Sequence, residues 1–85
     1  MLPTLEKSER FQKEFREFNE KITQLTDVTL RNEMNNCLMQ LLREVRNVDE
    51  HMFDPKAVAV SQSREKIAEL RKKLDKTLNH TVKTV

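Results

Sequence analysis

Glycine, tryptophan and tyrosine are absent from this 85-residue chain, proline occurs twice and cysteine once. Each scarcity removes a class of structure. Without glycine there are no hairpins built on glycine turns and no glycine-rich loops that cradle phosphate. Phe is the sole aromatic, at four positions, so aromatic-rich strands are excluded as well. One cysteine forbids an intramolecular disulfide, and Cys37 lies within an apolar helical pattern, as expected in a reducing compartment. No stretch approaches the roughly 18 continuous apolar residues of a membrane span, and MLPTLEKSER has no basic region followed by an apolar run. The chain therefore reads as soluble and unprocessed, in the cytoplasm or the nucleus.

What is present is helix-forming. Charged residues are 35% of the chain yet the net charge is only +2, which describes a solvated surface of mixed sign. Leu, Glu, Lys, Arg, Gln and Met lose little rotamer freedom in a helix. Apolar residues recur at steps of three and four in three sets: Phe11, Phe15, Phe18, Ile22, Leu25; Leu30, Met34, Leu38, Leu41, Val45, Val48, Met52; and Val60, Ile67, Leu70, Leu74, Leu78. Side chains advance about 100° per residue, so each set lines one face of a helix.

The first two sets do not belong to one straight helix. The 23 residues from Phe18 to Leu41 rotate the second set roughly 140° from the first. A turn is expected at Thr26-Asp27-Val28-Thr29, with Asp27 or Thr29 as the following N-cap. Asp54-Pro55 marks a second turn, because Asp supplies a capping oxygen and Pro at the first helical position forfeits an N–H that had no partner. Ser61 or Ser63 is the competing start. Thr4 is expected to cap the first helix and Asn79 to close the third, with the tail fraying from about residue 80. The sequence thus predicts an all-α fold: a single domain of three antiparallel helices, about 4–26, 29–52 and 55–79, packed as in a coiled coil. Glu6 with Arg10, Glu9 with Lys13 and Glu17 with Lys21 stand at i, i+4 on the first helix and are expected to form weak ion pairs.

Little here suggests catalysis. Cys37 sits between Met34 and Leu41, where a thiol acts as a small core side chain. His51 lies near Glu50 and Asp54, but the other histidine, His80, is at the far end, and no ligand spacing for a metal recurs. The sequence therefore reads as a non-enzyme with no cofactor, no metal and no small-molecule substrate.

Two surfaces remain. Residues 1–28, 29–54 and 55–85 carry net charges of −1, −2 and +5, from five basic and six acidic, three and five, and eight and three groups. Arg64, Lys66, Arg71, Lys72, Lys73 and Lys76 therefore form an alternative site for nucleic acid or an acidic membrane surface. They are distributed around the third helix among Glu65 and Glu69, with no interleaved aromatics to stack on bases. Met39 projects away from the core stripe, and with Leu42, Arg43 and Arg46 it makes the partner-binding candidate, since Met and Arg are enriched at interfaces. Phe53 is either a plug at the end of the bundle or an exposed contact. The expected function is a small protein–protein interaction module, an adaptor or a subunit of an intracellular complex that engages a helical partner. A homo-oligomer in which the first helix pairs with its counterpart in another copy is the structural alternative to a monomer.

Overall fold

A computed structural model of the chain describes residues 4–51 and 58–82. They form three helices, α1 (Glu9–Thr23), α2 (Val28–His51) and α3 (Val58–Val82). The expected three-helix bundle is the observed fold, with several boundaries moved.

The first helix begins five residues later than the sequence predicts. Thr4 does cap a turn, accepting a hydrogen bond from the Lys7 amide at 3.2 Å, but Leu5–Lys7 is a turn and not the first turn of α1. Ser8 is the N-cap, with extended backbone and a hydroxyl that accepts from the Phe11 amide at 3.2 Å. That hydroxyl also donates to the Leu5 carbonyl at 2.8 Å, so one side chain joins turn to helix. At the other end α1 stops at Thr23, short of residue 26. The Gln24 and Leu25 amides reach back only three residues, to Lys21 and Ile22, which tightens and ends the helix.

Asp27 caps α2 through the Leu30 amide, 3.2 Å from its Oδ1, as one of the two expected caps. Both Ser61 and Ser63 lie inside α3, so neither begins it. Asp54-Pro55, Phe53 and Met52 lie outside the described residues. The third helix passes through Asn79 to Val82, and the Asn79 side chain meets α1, where its Oδ1 accepts from Lys21 Nζ at 3.2 Å.

The core follows the stripes. Phe11, Phe18, Ile22 and Leu25 of α1 and its C-terminal turn meet Met34, Leu38, Leu41, Val45 and Val48 of α2 and Ile67, Leu74 and Leu78 of α3. Cys37 is buried among them as expected. Phe15, Leu30, Val60 and Leu70 pack at the edge, half-buried. Helices α2 and α3 run closest together, and α1 lies across both. Its phenylalanines hold its backbone further out, since interaxial distance grows with the side chains at the contact. Phe11 and Phe15 themselves stack at 5.9 Å between ring centroids, tilted by 49°.

Polar contacts fix how the helices run. Arg46 near the end of α2 meets Glu6 at the start of the chain, and Asn47 meets Ser63 in the second turn of α3. Lys21 and Asn79 meet at the opposite end of the bundle. Ser63 is the one buried polar residue among those described, and its hydroxyl accepts from Asn47 Nδ2 at 2.6 Å. No buried side-chain polar atom is left without a partner among the described residues.

Candidate functional site

Met39, Leu42, Arg43 and Arg46 share one side of α2 because they stand three or four residues apart. With Glu44, Asn47 and Glu50 they line a shallow groove of about 500 Å³. Met39 is 46% exposed, as its phase predicts, while Leu42 is half-buried and gives the groove an apolar edge. A second groove, of about 400 Å³, lies between α1 and α2. Phe11, Phe15 and Leu42 supply its apolar surface, and Glu6, Gln12, Arg16, Asn19 and Arg46 its polar rim. Leu42 and Arg46 belong to both and form the ridge between them.

Arg46 is held on that ridge from outside α2. Its Nε donates to the Glu6 carboxylate, while the guanidinium remains largely exposed. Glu6 is itself fixed by its backbone. Asp49 Oδ1 accepts from the Leu5 amide at 2.7 Å, and Oδ2 from the Glu6 amide at 3.0 Å. Two amides of the turn are thus satisfied by a carboxylate of another helix, which favours an anion at that position as at any helix start. The expected Glu6–Arg10 pair is not formed, because Glu6 precedes the helix and faces α2.

The expected Glu9–Lys13 and Glu17–Lys21 pairs are not among the ion pairs of the described residues either. Among the described residues the ion pairs are Glu6–Arg46 and Glu14–Arg71, neither within one helix. Lys21 turns to Asn79 and away from Glu17. Sequence spacing cannot reveal such partners, since Glu14 and Arg71 stand 57 residues apart.

This arrangement divides the basic set on α3. Arg71 is half-buried and bonded to Glu14 at 2.7 Å, whereas Arg64, Lys66, Lys72, Lys73 and Lys76 are exposed. At the end of α2, the His51 ring Nδ1 lies 3.0 Å from the Asn47 carbonyl oxygen. A carbonyl can only accept, so Nδ1 carries the proton. No group of three or more His, Cys, Asp or Glu side chains capable of holding a metal occurs among the described residues.

Sequence reading found Met39 and the arginines through their phase on the helix. It missed Glu6 and Asp49, which position Arg46, and Phe15, which lines the groove between α1 and α2 although it also belongs to the apolar stripe. Compared with known proteins, the chain matches no family model, no curated protein and no solved structure.

Proposed function

We propose that the chain is a non-enzymatic protein–protein interaction module, an adaptor or subunit of an intracellular complex that docks a helix of another protein across α2. The observation that supports this reading is the ridge of Leu42 and Arg46 between two shallow grooves, with Met39 exposed on one side and Phe15 half-buried on the other. A helix laid across such a ridge would bury apolar residues spaced three and four apart in the grooves. Arg43 and Arg46 would supply directional hydrogen bonds at its edge. Among the described residues no helix is long and apolar enough to cross a membrane.

The test uses the tagged full chain to capture partners from a cell lysate, followed by cross-linking and mass spectrometry. Met39→Asp and Arg46→Glu are expected to lose a partner that the unaltered chain retains, with helicity unchanged by circular dichroism. Equal capture by both variants would show that this face is not the docking site. Duplex DNA and phosphatidylserine vesicles provide the rival arm. Binding to either with steep salt dependence, abolished by replacing Lys72 and Lys76, would favour the basic surface of α3 instead.

A further inference from the structure

The groove between α1 and α2 joins an apolar floor to an unbalanced set of charges. Gln12, Phe15, Arg16 and Asn19 recur at helical spacing and form its wall on α1, while Leu42 and Arg46, one turn apart, form its wall on α2. Phe15 and Leu42 are half-buried, so the floor is left partly uncovered. Nothing in the burial of the core requires two arginines at its edge.

The ionisable residues that line the groove are Glu6, Arg16 and Arg46. Glu6 is already spent, since both of its carboxylate oxygens accept from Arg46 Nε. The terminal nitrogens of Arg46 make no hydrogen bond among the described residues, and its side chain is 64% exposed. Arg16 is exposed as well and has neither ion pair nor hydrogen bond among them. Glu20 and Glu50, four residues beyond Arg16 and Arg46, are the local carboxylates that spacing offers, yet they form no ion pair with either and do not line the groove. Asp49 is engaged by the Leu5 and Glu6 amides. Two guanidinium groups with unused donors therefore face each other across the floor, one from each helix, and the groove holds no free carboxylate.

We propose that this groove takes an acidic amphipathic helix of a partner protein, one whose apolar residue is flanked by carboxylates. The apolar residue covers Phe15 and Leu42, a carboxylate on one side of it meets Arg16, and one on the other side meets the terminal nitrogens of Arg46. A guanidinium binds a carboxylate through paired hydrogen bonds and is more weakly hydrated than an ammonium, so it gives up water readily at an interface. A basic helix with the same apolar pattern sets like charges together on both walls. Apolar burial then supplies attraction for either helix, and charge chooses between them. An acidic membrane surface offers anions but no side chain to enter the groove. The proposal rests on the docking reading, with Arg46 common to both, and adds Arg16 of α1, which belongs to acid recognition alone.

The test titrates the full chain into two fluorescent synthetic helical peptides with leucines at steps of three and four, identical except that the flanking positions hold Glu in one and Lys in the other. Anisotropy is expected to show the Glu peptide bound at least about tenfold more tightly, with the advantage shrinking as salt is raised. In the nitrogen–proton spectrum the side-chain amides of Gln12 and Asn19 are expected to shift as the Glu peptide binds. Arg16→Glu is expected to weaken the Glu peptide and strengthen the Lys peptide, an exchange that unfolding cannot produce. Equal affinity for the two peptides, binding of neither at millimolar concentration in low salt, or unmoved Gln12 and Asn19 amides overturns the proposal. So does binding to phosphatidylserine vesicles that Arg16→Glu abolishes, which would make a lipid surface the occupant, or self-association that the same variant abolishes, which would make it a second copy. A cellular partner lost by Met39→Asp but kept by Arg16→Glu overturns acid recognition while leaving docking across α2 in place; a partner kept by Met39→Asp and Arg46→Glu alike removes the docking reading itself.

Discussion

Helices α2 and α3 are joined in one way and α1 is attached in another. The α2–α3 seam is long, close and apolar, with Leu38, Leu41, Val45, Leu74 and Leu78 wholly inaccessible to solvent. A polar bond from Asn47 to Ser63 crosses it. The 15-residue α1 is shorter than its neighbours of 24 and 25 residues and stands further out on its phenylalanines. It is secured around its edges by Asp49, Arg46, Arg71 and Asn79. The difference shows two solutions to one packing problem. Where small and branched side chains allow close approach, burial suffices; where bulky rings hold a helix away, polar contacts at the margin locate it.

The largest expected effect lies in the shared core. Leu41→Ala should lose about 2–5 kcal/mol in urea unfolding, with all three helices melting together, because the cavity opens where they meet. If amides of α1 lose their hydrogen-exchange protection alone, Leu41 belongs to α1's attachment and the contrast fails. A smaller effect is expected at Ser8→Ala, about 1 kcal/mol from the lost cap, read as greater exchange at the Phe11 amide with α2 and α3 unaffected. The smallest concerns the margin. Arg46→Ala should cost less than about 1 kcal/mol, since an exposed ion pair contributes little, and 1 M salt should reduce even that difference. A loss well above this would mean that α1 depends on its rim as much as on its phenylalanines.

The sequence made the fold legible because burial imposes a period, and Phe18, Leu38 and Leu74 each lie on theirs. It located Met39 by the same arithmetic. Boundaries were less legible, since several residues compete to end a helix: Thr4 offers a capping oxygen as good as that of Ser8, and tertiary contact decides between them. Asn79 looked like a helix end because Asn often is one, but Lys21 across the bundle engages it. The Arg46 site was half visible. Its own helix placed it beside Met39, whereas Glu6 and Asp49 act on it over separations near 40 residues, where local spacing carries no information.

Asp49 also bears on the order of assembly. The turn at Leu5–Lys7 takes the partner for its amides from near the far end of α2, so it lacks that support until the first two helices have folded back on one another. A peptide ending at Thr26 would find its helical start at Ser8 and leave those preceding amides to water. The leading segment is thus a late arrival, set in place by a helix made after it on the ribosome.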